Sequence, residues 1–186
     1  MSSGNHETEI KLAVRDARST RARLRAAGFT VSQKRNFEVN LVFDTADHAL
    51  GRSSQLLRLR QAGKTATLTY KGVPAPGKHK SREELEVQVS DFDAMSAILA
   101  RLGYTPVFRY EKYRTEFRQP HRAGVAMLDE TPIGVFLELE GSPSWIDRTA
   151  RKLGFDEDAY ITASYGRLYL EWCAAHELQP SNMIFE

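Results

Sequence analysis

Most of this chain alternates polar and apolar residues with a period of two, the mark of strands whose successive side chains point to opposite faces. Eight segments read this way: ETEIKLAV (7–14), RNFEVNLVFDT (35–45), QLLRLRQA (55–62), TATLTYKG (65–72), REELEVQVS (82–90), VFRYEKYRTEFRQ (107–119), VAMLDET (125–131) and VFLELEG (135–141). Hairpin signals at AGK (62–64), QPHRAG (119–124) and TPIG (131–134) separate several of them. Four other segments carry helix signals. DARSTRARLRAAGF (16–29) stops at Gly28, and SDFDAMSAILARLGY (90–104) offers Ser90 or Asp91 as N-cap and Gly103 as stop. SPSWIDRTARKLGF (142–155) places Ser142 at the N-cap and Pro143 at the first helical position, and TASYGRLYLEWCAAHEL (162–178) reads as a last helix. GVPAPGKHK (72–80) predicts a long mobile loop, with Lys78, His79 and Lys80 as solvated loop residues.

The polar faces of the strands are unusual. Glu7, Glu9 and Lys11 lie opposite Ile10 and Leu12; Arg58 and Arg60 lie opposite Leu57 and Leu59; Thr67, Thr69 and Lys71 lie opposite Leu68 and Tyr70. Arg82, Glu84 and Glu86 oppose Leu85 and Val87; Lys112, Arg114 and Glu116 oppose Tyr113 and Phe117; Asp129 opposes Leu128; Glu138 and Glu140 oppose Leu137 and Leu139. For any single strand a solvated outer face is the simplest account. Repeated acid-x-acid and base-x-base patterns do not fit it, because like charges two apart on one face repel. By that argument Glu9→Gln and Glu140→Gln should both leave the unfolding midpoint unchanged or higher. A closed barrel resolves the conflict by turning the charges inward, where a bound cation and a polyanion neutralise them, and the apolar faces outward under helices. The predicted fold class is α+β: an eight-stranded antiparallel β-barrel with a polar charged lumen, flanked by about four helices, as a single domain over residues 1–186.

Composition narrows the function without naming it. A formal net charge of +2 gives no argument for nucleic acid or a membrane surface. No stretch reaches the ~18 apolar residues of a membrane span, and the polar MSSGNHETE start lacks the regions of a signal peptide. The one cysteine, Cys173, excludes an internal disulfide and fits a reducing cytoplasm. The five histidines are scattered, which argues against zinc. The inward carboxylates form an oxygen-only donor set that suits Mg²⁺ or Mn²⁺. The inward arginines and lysines supply forks and point charges for several phosphate groups. Together they point to a triphosphate held with its metal. No G-x-x-x-x-G-K-[ST] loop is present, GRSSQ is not a nucleophile elbow, and Cys173 has no evident base beside it. Arg82 fits the inner face, and its neighbour Glu83 equally offers it a surface ion pair.

The order of these motifs resembles the CYTH family, the triphosphate tunnel metalloenzymes, over nearly the whole chain. The matching residues are E-x-E-x-K at Glu7, Glu9 and Lys11, R-x-R in LLRLRQ, K-G in LTYKG, E-x-E in REELEV, K-x-R in YEKYRTEF, the acid of MLDET, E-x-E in FLELEG and the S-Y-x-x-L of SYGRL. The resemblance implies a tunnel that binds a triphosphate with divalent metal. Lys11, Arg58, Arg60, Lys71, Arg82, Lys112 and Arg114 would bind the substrate, and Arg60→Ala should weaken triphosphate binding. Glu7, Glu9, Asp129, Glu138 and Glu140 would hold one or two metal ions, Mg²⁺ or Mn²⁺. Glu7, Glu9, Lys11, Glu84 and Glu86 would form the catalytic set, with Glu84 and Glu86 either ligands of a second metal or partners that orient the basic residues. Tyr165 and Ser164 would place the last helix across the tunnel mouth, and helix capping and core packing explain them equally. The expected activity is hydrolysis of inorganic or organic triphosphate, thiamine triphosphate included, with release of phosphate. The alternative is a class IV adenylyl cyclase making cyclic AMP and pyrophosphate from ATP, and a remoter one is a non-catalytic polyphosphate- or nucleotide-binding module. The expected partner is the small triphosphate alone, without nucleic acid or membrane, and the expected state is a cytoplasmic monomer or homodimer.

Overall fold

A computed structural model describes residues 5–186; the first four residues of the polar N-terminal segment lie outside the described residues. Eight strands are present: β1 (Asn5–Val14), β2 (Thr30–Asp44), β3 (Leu56–Ala62), β4 (Thr65–Lys71), β5 (Lys80–Val89), β6 (Thr105–Arg118), β7 (Val125–Thr131) and β8 (Gly134–Glu140). They close into a barrel in the order β1-β5-β4-β3-β2-β6-β7-β8, and every neighbouring pair is antiparallel. The four expected helices appear as α1 (Ala17–Ala26), α3 (Phe92–Arg101), α4 (Pro143–Lys152) and α5 (Tyr165–Ala175). A single-turn helix that the sequence pattern did not predict, α2 (Ala49–Arg52), brings the α-helices to five among the described residues.

Four strands begin at least two residues earlier than their alternation suggests, β1 and β6 by two each. β2 starts at Thr30 rather than Arg35 because irregularities in its pairing with β6, between Val31 and Gln33 and between Gln33 and Asn36, break the two-residue period. β5 starts at Lys80 rather than Arg82, paired with Glu9 of β1. α2 has too few turns to show periodicity. The Asp44 carboxylate holds it by accepting from the backbone of Leu50 at 3.0 Å and Gly51 at 2.8 Å.

The helices form where their caps lie. Asp16 accepts from the Ser19 amide at 2.8 Å, Asp91 from Ala94 at 2.9 Å and Ser164 from Arg167 at 3.2 Å. α1, α3 and α4 end alike: Gly28, Gly103 and Gly154 take positive φ, and the aromatic residue after each donates its amide back to the helix. α1 and α4 cover the outer faces of β1, β6, β7 and β8, burying Leu24, Ile146, Ala150 and Leu153 against Ile10, Leu12, Phe117, Leu128, Leu137 and Leu139. α3 covers β2 and β3 through Leu99 on Phe43 and Leu59. Leu85 and Val87 on the outside of β5 remain exposed. Apolar residues are thus outside the barrel wall, and one face of every strand is left for polar groups within. α5 differs from the other helices. It lies across one end of the barrel and packs Tyr165, Tyr169 and Cys173 on the inward residues Tyr110 and Phe136.

Candidate active site

Strand register decides which side chains meet in the lumen. Directly paired residues share a face, and the pairs Glu9–Glu140, Lys11–Glu138, Glu7–Arg82, Lys71–Glu84, Arg58–Thr69 and Arg114–Asp129 all face inward. The lumen holds a cavity of about 1220 Å³. Glu7, Glu9, Lys11, Arg58, Arg60, Lys71, Arg82, Glu84, Glu86, Lys112, Arg114, Glu138 and Glu140 all line it. Asp129 lies behind this lining, with no exposed surface. Arg82 is buried and turned inward, away from Glu83, so the surface ion pair is not formed.

On the β6–β7 side charges are matched closely. The Asp129 carboxylate accepts from Arg114 Nε at 2.7 Å and Nη2 at 2.6 Å, from Lys112 Nζ at 2.7 Å and from the Tyr165 hydroxyl at 2.7 Å. Arg114 also pairs with Glu138, whose other oxygen stands 3.4 Å from Lys11 Nζ. Lys112 lies 3.7 Å from Glu38. The Tyr165 ring presents its face to Lys11 at 5.3 Å and Lys112 at 5.0 Å. Burial pushes the Glu138 carboxyl up, but Arg114 and Lys11 hold it well below the usual carboxylate range. The Tyr165 hydroxyl is driven well above its ordinary value by burial and by Asp129.

On the β8–β1–β5 side the match is poorer. Lys71 serves two acids, Glu7 and, at 3.2 Å, Glu84. Glu140 has no ion pair among the described residues. Burial first, then the neighbouring acid Glu7, raises the Glu140 carboxyl to about 7. Burial and Glu9 raise Glu7 in the same way. Glu9 goes the other way: despite its burial, Lys11 draws it down to about 2. Opposite, Arg60 is loosely held, 3.9 Å from Glu38 and 3.7 Å from Glu86. Several buried polar atoms have no partner: Arg58 Nε, Arg82 Nε, Glu38 Oε2 and both amide atoms of Asn40. Such atoms are few in folded proteins, and each calls for an explanation such as a catalytic role or a bound water or ion.

Sequence reasoning missed four residues here. Glu38 and Asn40 share the inner parity of β2, and the NFEVN alternation carried that signal. Tyr110 donates nothing to a phosphate grip but accepts from Arg58 at 3.4 Å. Lys80 is not a solvated loop residue; it is buried in the lumen 3.7 Å from Glu9. Burial and the charge of Lys11 lower its ammonium to about 8. The 72–80 segment is anchored rather than free: His79 Nε2 meets Asp147 at 2.8 Å, and Lys78 pairs with Asp147 at 3.0 Å and Glu157 at 2.6 Å.

The donors on the β8–β1–β5 wall are oxygen-only, buried and crowded, which fits a hard divalent cation. Glu7, Glu9 and Glu140 could hold it. The shell is not preassembled, since among the described residues no three acid, imidazole or thiol groups converge as a metal cage. No helix among the described residues is long and apolar enough to cross a membrane.

Comparison with known proteins agrees with this architecture. The CYTH domain model matches residues 5–186. A Methanocaldococcus jannaschii protein named "Putative adenylate cyclase" is 31% identical over 147 residues, which cover 79% of this chain and 83% of the relative. The solved structure of a "putative adenylate cyclase" from Vibrio parahaemolyticus superposes with a TM-score of 0.77 at 18% identity, covering 89% of this chain and 98% of that one. A "putative adenylyl cyclase" from Hippeastrum, described as having a dominant triphosphatase activity, superposes with a TM-score of 0.64 at 19% identity, covering 89% of this chain and 95% of that one.

Proposed function

The chain belongs to the CYTH family, and from that premise we propose that it is a divalent-metal-dependent enzyme that hydrolyses a triphosphate in the barrel lumen and releases phosphate. The observation that carries the reading is the polarity of the lumen. Crowded acids whose carboxyls are pushed up, Glu7 and Glu140, face loosely held cations, Arg58 and Arg60, across one cavity. A triphosphate with its metal neutralises both walls at once.

Arg58, Arg60, Lys71, Arg82, Lys112 and Arg114 bind the phosphate oxygens, the arginines by paired N–H donors and the lysines as point charges. Asp129 keeps Arg114 and Lys112 in place, so it acts as a positioning residue rather than a metal ligand; all four of its close donors are already committed to it. Glu7, Glu9 and Glu140 hold Mg²⁺ or Mn²⁺, with Glu138 behind them bound to Arg114 and Lys11. The metal supplies charge neutralisation on the phosphate oxygens and lowers the cost of forming the nucleophile. Glu84 and Glu86, at the edge of the cavity, orient the attacking water. As water attacks the terminal phosphorus, Lys11 and the arginines stabilise the charge that grows on the leaving diphosphate.

Hydrolysis requires fewer positioned parts than cyclisation, which also needs the ribose 3′-oxygen aimed at the α-phosphorus. One observation favours the cyclase as the second reading: the cavity lining includes the apolar and aromatic residues Val42, Phe108, Tyr169 and Leu170, a group able to seat a base. Product analysis with Mg²⁺ or Mn²⁺ decides. Phosphate released faster from inorganic triphosphate than from ATP is the expected result. Cyclic AMP with pyrophosphate would establish the cyclase, and metal-independent binding without turnover would make the tunnel a binding module.

A further inference from the structure

Lys80 is weakly held in the lumen: its charged end has one partner, a single oxygen of Glu9. It shares one oxygen of Glu9 with Lys11: Lys11 Nζ lies 3.3 Å from Glu9 Oε1 and Lys80 Nζ 3.7 Å from the same atom. Lys11 has further partners in Glu138 at 3.4 Å and the Tyr165 ring. Lys80 makes no hydrogen bond within range and no second ion pair among the described residues. Its backbone, in contrast, is fixed. It is paired with Glu9 in the sheet, Lys78 and His79 before it are tied to Asp147, and the Ser81 carbonyl after it accepts from Ala75 at 2.7 Å. A rooted backbone with an untethered, four-carbon side chain is suited to move between two positions.

We propose that Lys80 is a built-in counter-ion for the metal wall: it neutralises Glu9 in the metal-free protein and passes to the substrate's phosphates when a divalent cation takes that carboxylate. This rests on the metal-dependent triphosphate reading above. A divalent cation at Glu9 places two positive charges beside Lys80, which repels it into the cavity that Lys80 already lines. A triphosphate there draws Lys80 off Glu9 and so frees the carboxylate for metal. Each ligand therefore removes an obstacle to the other, and by linkage the coupling is reciprocal.

The test is Mn²⁺ binding by calorimetry to the full chain, without and with a saturating imido analogue of triphosphate. Compared with wild type, Lys80→Met is expected to bind Mn²⁺ alone more tightly, because one of the two internal cations at Glu9 no longer competes. The factor by which the analogue enhances Mn²⁺ affinity is expected to shrink at least about fivefold. Lys80→Arg keeps the charge and should keep most of the coupling. Equal Mn²⁺ affinity and equal coupling in wild type and Lys80→Met would overturn the proposal. If wild type bound no Mn²⁺ even with the analogue, the metal-dependent reading would fail instead. Should Lys80→Met not fold, the side-chain ammonium resonance of Lys80 in wild type, identified by its loss in Lys80→Arg, serves in its place. It must shift on adding Mg²⁺, and an unmoved resonance overturns the proposal.

Discussion

The two walls of the lumen contain the same residue types in opposite states. On the β6–β7 wall, Asp129, Lys112 and Arg114, joined by Glu138 of β8 and Tyr165 of α5, form a closed network in which each charge has at least one opposite partner within 3.4 Å. On the β8–β1–β5 wall, Glu7 and Glu84 share one lysine, and Glu140 has none among the described residues. A matched buried network fixes geometry; a mismatched one keeps electrostatic free energy available for an incoming charge. The β6–β7 wall is closed on itself, and the β8–β1–β5 wall is the one that, on the proposed reading, receives a cation.

The largest expected effect comes from breaking the closed wall. Asp129→Ala leaves Lys112 and Arg114 buried without their main counter-ion, and uncompensated buried charge costs about 3–5 kcal/mol. At roughly 2–4 °C per kcal/mol for a chain of this size, the unfolding midpoint should drop by about 6–20 °C, with loss of activity. An unchanged midpoint in a thermal melt would mean that the wall is not locked.

A smaller effect is expected at Arg60, between the walls. Its contacts at 3.7 and 3.9 Å are long, so Arg60→Ala should hardly alter the melt. Charge-assisted hydrogen bonds are worth ~1.5–3 kcal/mol, which predicts triphosphate binding about 10- to 100-fold weaker by calorimetry. Unchanged affinity would place the phosphates elsewhere.

How far the sequence carried this picture depends on whether a feature is periodic. The inward charges, the eight strands and the four longer helices all repeat, so they could be read from alternation and caps. Features set by partner choice could not. Lys80 was misread because a Gly- and Pro-containing run precedes it, although it shares the parity of Arg82, Glu84 and Glu86. Glu38 and Asn40 were legible in principle and overlooked. The enclosure of Asp129 by Tyr165 joins strands and a helix far apart in the chain, and no local pattern encodes it.

Glu9 and Glu140 show the same limit most sharply. They face each other in register and look equivalent in sequence, each a member of an acid-x-acid pair. Charge repulsion alone predicts that removing either one helps stability. The structure separates them, because Lys11 and Lys80 attend Glu9 and no cation among the described residues forms an ion pair with Glu140. The Glu9 carboxyl lies below its unfolded value, at about 2. The unfolded chain then binds more protons, and Glu9 contributes stability that is present above pH ~4.5 and lost as pH falls toward 2. For Glu140 the carboxyl is raised to about 7, the folded chain binds more protons, and stability is lost as pH rises from ~4.5 through 7. In chelator at pH 8, Glu9→Gln should therefore melt lower than wild type and Glu140→Gln higher, each by on the order of 1–2 kcal/mol, or roughly 2–8 °C. The Glu140→Gln difference should vanish below pH 4.5. With Mg²⁺ or Mn²⁺ present it should reverse, because wild type then gains the binding free energy that the variant lacks. If both variants moved the melt in one direction at pH 8 in chelator, Glu9 and Glu140 would not differ in the way their ion pairs indicate.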